Sequence, residues 1–216
     1  MDIKTLKANV SAPLTSVQAR AYRRIQAFKV ITSYDFKRLV ECIRLYEQSI
    51  ECYKTTGKEN DGLFGMVVEI TSHRPTSTLT HVRQQTKVDS YIVIDDKPRK
   101  LEVKTNSGEM QDFYKLTSKE RNVTYIHYVM DIDVRPSKYN PAGIRQIEFC
   151  CTLSHFLERC EEHKAIHDNG TNIRGAKCNL RADKKSLYKA FIEDLENGLV
   201  IPFDRRMTYC TEDFED

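Results

Sequence analysis

Apolar residues return every three or four positions through the first quarter of the chain. Val17, Ala21, Ile25 and Phe28 share one helical face between Ser16 and Ile31, and that spacing predicts an amphipathic helix. Thr32 or Ser33 then offers an N-cap, with Asp35 three residues after Thr32 in the manner of a capping box. Phe36, Leu39, Val40, Ile43, Leu45, Tyr46 and Ile50 extend a second helix until Thr55-Thr56-Gly57. Residues 1–57 therefore read as a helical region, a hairpin-like pair whose apolar stripe must pack on the rest of the chain or on a second copy.

Another short helix is expected from Asn60 to Ile70, carrying Leu63, Phe64, Met66, Val67 and Ile70. The period then drops toward two. Runs rich in Thr, Val, Tyr and Ile at 78–84, 88–94, 99–105 and 123–132 predict strands, with 107–119 as the natural place for a helix between the last two. Beyond Pro136 and Pro141 come a strand over 144–152, a helix opening near Ser154, a loop around 169–175 and a final helix over 183–197 closed by Gly198. This order predicts a mixed α/β domain over residues 58–216.

Inside that domain one stretch, Lys100-Leu-Glu-Val-Lys104, raises a chemical question. Asp95-Asp96-Lys97-Pro98 is a turn-forming cluster, so the runs 88–94 and 99–105 should form an antiparallel hairpin. With Asp96 and Lys97 at the tip, Tyr91 faces Glu102 and Asp89 faces Lys104. Side chains alternate along a strand, so Asp89, Tyr91, Glu102 and Lys104 share one face, while Val88, Ile92, Ile94, Leu101 and Val103 share the other. Two ionised carboxylates about 4 Å apart repel by roughly 4 kcal/mol at an effective dielectric near 20. A divalent cation removes that cost, and hard cations such as Mg²⁺ accept one or two carboxylates together with waters and substrate phosphate oxygens. Lys104 would then orient a water for in-line attack on a phosphodiester.

Asp89, a spacer of twelve residues and Glu102-Val103-Lys104 resemble the signature of the PD-(D/E)xK nuclease superfamily, which includes restriction endonucleases, phage exonucleases and Holliday-junction resolvases. The resemblance implies a restriction-endonuclease-like core, a mixed sheet in the order αβββαβ, here with N-terminal and C-terminal helical additions. It further implies Mg²⁺, with Mn²⁺ as a substitute, held by Asp89, Glu102 and the Val103 carbonyl. Lys104 would be catalytic, and Glu69, on the helix before the strands, an auxiliary carboxylate and metal ligand. Lys87-Val88 stands where the family places a proline before the aspartate. In such a fold the start of the helix after the catalytic strand faces the site, which makes Asn106, Ser107 and Gln111 candidates for phosphate contact.

Charge adds a DNA partner to this picture. The net charge of +3 over 216 residues is small, but residues 17–44 hold Arg20, Arg23, Arg24, Lys29, Lys37, Arg38 and Arg44 against Asp35 and Glu41. Arg20, Arg23 and Arg24 are the candidates for phosphate contact. The extra helices at both ends favour an endonuclease acting as a homodimer. Structure-selective or end-directed cleavage is the neighbouring alternative, and a nucleic-acid-binding or partner-binding module that no longer cuts is the alternative from another class.

Composition narrows the remaining classes. With 40% hydrophobic residues the chain can bury a full core. No apolar run reaches membrane-spanning length and Met1-Asp2-Ile3-Lys4 lacks the layout of a secretory signal, so a cytoplasmic protein without membrane partners is expected. Seven cysteines without a Cys-x-x-Cys pair argue for reduced thiols. Cys160, His163, His167 and Cys178 form a conceivable zinc set, although their spacing fits no standard finger. No glycine-rich phosphate loop followed by Lys-Ser/Thr occurs.

Overall fold

The computed structural model describes residues 3–29, 33–72, 89–105, 109–110, 116–133, 135, 137–138, 144–163, 165–167, 176–178, 185–204 and 208–209. The chain divides into two compact units, Met1–Thr86 and Lys87–Asp216. The first unit extends past residue 57, because the helix that follows Gly62 supplies part of the same core as the helices before it.

The first unit contains α1 (Ile3–Ala8), α2 (Ser16–Ala27), α3 (Ser33–Thr56) and α4 (Leu63–Ser72). Thr15 caps α2 in a capping box with Gln18, a signal at residues 15–18 that starts the helix where the apolar period begins. The helix stops at Ala27, four residues short of the expected Ile31, with Phe28 as its C-cap. Ala21, Ile25 and Phe28 from α2 and its cap, Leu39, Cys42, Tyr46 and Ile50 from α3, and Leu63, Val67 and Ile70 from α4 form one core. α3 ends where Gly57 takes a φ of +68°, a left-handed turn that a β-carbon would disfavour. Polar side chains tie the unit together. Tyr46 donates its hydroxyl to the Ser11 carbonyl, and the Ser11 amide and hydroxyl both donate to Glu47.

In the second unit β1 (Ser90–Ile94), β2 (Lys97–Thr105), β4 (Tyr125–Asp133), β5 (Ile144–Thr152), β8 (Ile201–Pro202) and β9 (Thr208–Tyr209) build a mixed sheet in the order β8-β5-β4-β2-β1-β9. A second sheet joins β3 (Glu109–Met110), β7 (Ala176–Cys178) and β6 (Ile166–His167). No single helix spans 107–119 among the described residues. Glu109 and Met110 pair with β7, and α5 (Ser118–Val123) begins only after Thr117, whose side chain and Glu120 form a capping box. The crossover through α5 is what allows β2 and β4 to run parallel, since parallel neighbours cannot be joined by a tight turn. The expected strand at 78–84 and loop at 169–175 lie outside the described residues.

Alternation along the central strands gives the sheet two buried faces. Ile126, Tyr128 and Met130 of β4, with Ile147, Phe149 and Cys151 of β5, meet α6 (Leu153–Glu162) and α7 (Lys185–Glu196). Tyr128, Phe149, Phe156 and Phe191 stack there with ring centroids 4.9 to 5.7 Å apart, the range in which edge and offset contacts add to burial. The opposite face holds Ile92, Leu101 and Cys150, with Ile201 and Phe203 packed against them. α7 closes with Gly198 at φ +70°, the Leu199 amide reaching back to the Asp194 carbonyl at 2.8 Å in a Schellman motif.

Asp194 also binds α7 to α6. Its carboxylate, 2% exposed, accepts from Arg159 Nε at 2.9 Å and Nη2 at 2.6 Å, and His155 Nε2 lies 2.8 Å from Oδ2. Burial alone would raise its pKa, but the hydrogen bonds and charges of Arg159 and His155 outweigh it and hold the carboxyl below its usual value of 3.8. A carboxyl depressed in the folded state contributes stability above its unfolded pKa and loses it as pH falls through the folded one. Chemical denaturation between pH 5 and pH 2 should therefore show stability falling once pH passes below about 3.8, with a shallower decline in Asp194→Asn. An equal slope in both proteins would remove Asp194 from the acid response.

Candidate active site

Two aspartates at the tip of the hairpin set the register of the site. Asp95 and Asp96 have φ of 51° and 57°, and a two-residue hairpin loop of the I′ type needs positive φ at both tip positions. Aspartate tolerates that region far better than lysine, so Asp95-Asp96 forms the tip rather than Asp96-Lys97. Ile94 accordingly pairs with Lys97, Tyr91 with Lys100 and Ser90 with Leu101. The expected facing of Asp89 with Lys104 and Tyr91 with Glu102 is thus displaced by two residues. A two-residue shift preserves every side chain's face. Asp89 immediately precedes this ladder, whose last pair is Ser90 with Leu101.

The Asp89 carboxylate turns toward β2. Its Oδ2 accepts the Val103 amide at 2.8 Å, so the acid sits against the backbone between Glu102 and Lys104. The β1–β2 ladder ends at Ser90 and Leu101, and Asp89 takes the donor that the next backbone pair would have used. A strand residue projects its N–H and C=O to the same side, so the Val103 carbonyl lies on the Asp89 side of β2 as well. Glu102 and Lys104 form an ion pair, Lys104 Nζ to Glu102 Oε1 at 2.8 Å, with side chains 23% and 14% exposed. Leu101, Val103 and Thr105 alternate with them and are buried on the other face.

The parallel register with β4 explains why this charged pair is only partly wet. Glu102 pairs with Ile126 and Lys104 with Tyr128, both in the aromatic core under α6 and α7. The carboxylate and ammonium therefore stand at the margin of an apolar layer, where Coulomb interactions exceed those in open water. Lys100, two residues before Glu102, adds an exposed ammonium on the same face. Its place is legible in the alternation of Lys100, Glu102 and Lys104, although the sequence motif draws the eye to the last two alone.

As a donor set the residues suit a hard cation: one carboxylate on β2, one just before β1, and a main-chain carbonyl beside them, leaving positions for water and phosphate. Among the described residues no group of three or more His, Cys, Asp or Glu side chains could hold a metal ion, so a cation here would draw its remaining ligands from solvent and substrate. The side chains of His167 and Cys178 in the conceivable zinc set lie outside the described residues. Cys160 is fully buried in the core, and β6–β7 pairing sets Cys178 across from Ile166 and His167 across from Lys177.

The other sequence candidates divide by location. Glu69 is half-buried on α4 within the first unit. Arg20, Arg23 and Arg24 lie half-buried on α2, and Arg24 donates from Nε to Thr71 Oγ1 at 2.8 Å and from Nη2 to Ser72 Oγ at 2.7 Å. The Arg24 fork is thus used in holding α2 to the end of α4. Asn106, Ser107 and Gln111 lie outside the described residues.

Two polar constellations escaped the sequence reading. His127, fully buried on β4, places Nε2 3.1 Å from Glu148 Oε2 and stacks on Phe203 with centroids 3.6 Å apart. Its cross-strand partner Cys150 is buried, and burial, reinforced by Glu148, pushes the thiol far above its usual value, which keeps it protonated and unreactive. The Asp194, Arg159 and His155 network is the second. Neither gives a signal in the sequence, because their members are brought together only by strand pairing and helix packing.

No protein-family model, curated protein or solved structure matches this chain. Mixed α/β architecture and the cluster of Asp89, Glu102 and Lys104 are therefore what bear on its class. No helix among the described residues is long and apolar enough to cross a membrane.

Proposed function

We propose that this chain is a cytoplasmic, Mg²⁺-dependent deoxyribonuclease on a restriction-endonuclease-like core, cutting DNA phosphodiesters internally as a homodimer. The observation that carries the reading is the convergence on β2: the Asp89 carboxylate 2.8 Å from the Val103 amide, between a Glu102 and a Lys104 that are themselves 2.8 Å apart. A hairpin followed by a crossover to a parallel strand also agrees with the second half of the αβββαβ order.

Bound Mg²⁺, or Mn²⁺ in its place, would supply positive charge to the scissile phosphate and steady the departing 3′ oxygen. Asp89 and Glu102 would hold the ion through carboxylate oxygens, with the Val103 carbonyl as a further ligand. Lys104 Nζ donates to the attacking water and fixes its line of approach to phosphorus. Burial of the Lys104 and Glu102 side chains beside Ile126 and Tyr128 limits their wandering, so the groups meet substrate already oriented. Glu69, on α4, is proposed as the auxiliary carboxylate and metal ligand on the strength of the family resemblance. Phosphate contact from Arg20, Arg23 and Arg24, and from Asn106, Ser107 and Gln111, rests on charge and on the family resemblance.

The reading is tested by incubating the protein with supercoiled, linear and single-stranded DNA in Mg²⁺ and in EDTA. Nicking and linearisation of the supercoiled form in Mg²⁺, none in EDTA and none by Asp89→Asn are expected. Intact DNA in both Mg²⁺ and Mn²⁺, or cutting that survives EDTA, would reject it.

A further inference from the structure

The same few residues carry an additional property, which rests on the metal-site reading. We infer that Lys104 is the resident cation of the carboxylate pair: its ammonium holds Glu102 in place before a divalent ion arrives and is displaced from Glu102 Oε1 when the ion binds.

Three observations support this exchange. Lys104 Nζ lies 2.8 Å from Glu102 Oε1, at the distance of a full charge-assisted hydrogen bond. Both side chains are largely withdrawn from solvent, 14% and 23% exposed, which strengthens attraction to a cation and repulsion between like charges alike. Across the hairpin, Asp89 accepts from the Val103 backbone amide at 2.8 Å, among its contacts, so the two acids meet β2 in different ways. The Lys104 ammonium is a formal positive charge bonded to Glu102, and it sits on one of the oxygens that a divalent ion would use. An arriving ion must move Lys104 off Oε1 or share Glu102 with it, and either outcome costs affinity. Displacement also frees Nζ to turn toward the water it is proposed to orient, so loading the ion and arming the lysine become one event.

The alternative is a lysine that serves the water alone and is indifferent to ion binding. The two differ in metal affinity measured without DNA. Calorimetric titration with Mn²⁺ should show Lys104→Met, which keeps chain length and apolar packing, binding about five- to tenfold more tightly than wild type. Lys104→Arg, which keeps the charge, should stay near the wild-type value, and Glu102→Gln should bind much more weakly. Thermal melts give a second readout: without metal Lys104→Met should melt below wild type, and Mn²⁺ should raise its melting temperature more than that of wild type. Equal or weaker Mn²⁺ binding by Lys104→Met, with Glu102→Gln still defective, would overturn the exchange while leaving the metal site standing. Equally feeble binding by wild type, Lys104→Met and Glu102→Gln would overturn the metal site and the exchange together.

Discussion

Lys104→Ala is expected to slow plasmid cleavage in Mg²⁺ by at least about 100-fold, the loss typical when one charge-directed donor is removed from a reacting centre. DNA affinity should change by less than about threefold, since a single charge is a small part of a phosphate-contacting surface. The expectation follows from geometry. Lys104 and Glu102 alternate with Leu101, Val103 and Thr105 on β2, and the buried set keeps the strand from sliding or flipping its charged face. Truncation at position 104 removes the ammonium and leaves that scaffold intact. Metal loss would not account for the defect, because the variant also lacks the cation that competes for Glu102. Cleavage within a few-fold of wild type, with DNA and Mn²⁺ bound normally, would take Lys104 out of the chemistry.

The second large effect concerns stability. Phe191→Ala should destabilise the sheet-containing unit by about 3–5 kcal/mol, the range for emptying an aromatic site in a packed interior. Phe191 is fully buried on α7 and contacts Phe149 at 4.9 Å, Phe156 at 5.5 Å and Tyr128 at 5.7 Å between ring centroids. These rings come from two strands and two helices, so no one neighbour can collapse into the space. Urea unfolding followed by circular dichroism provides the measurement, with Phe191→Leu as a volume-keeping control expected to lose less than about 1.5 kcal/mol. A loss under about 1 kcal/mol for the alanine variant would mean that the cluster is loosely packed. Because Tyr128 is the register partner of Lys104, the alanine variant should also loosen the floor beneath the charged pair.

Long periodic segments are legible in the amino-acid pattern alone. Val123 to Ile132, Ile144 to Thr152 and the helix opening near Ser154 match β4, β5 and α6 to within two residues, since each combines an uninterrupted period with a turn or cap signal. The pairing of Glu102 and Lys104 on one face of β2, with Asp89 against the same strand, is also legible, and for a robust reason. A hairpin read two residues out of register keeps the parity that assigns faces, so the facing partners change while the face does not. Short elements are not legible. α5 has six residues and owes its start to Thr117 and Glu120, while β3, β6 and β7 have two or three residues each and exist only through pairing with one another. Nor can a lone histidine in an apolar strand announce that Glu148 and Phe203 will meet it, since the partners lie 21 and 76 positions away.

The two outermost strands of the main sheet, Ile201–Pro202 beside β5 and Thr208–Tyr209 beside β1, come from neighbouring parts of the chain yet occupy opposite margins. Each is only two residues long, and Pro202 lacks an amide hydrogen to offer a newcomer. The sheet thereby discourages extension by another molecule at either end, which works against fibre growth. Two copies in solution are thus not expected to join through these two margins, and a search for a dimer contact can begin elsewhere on the surface.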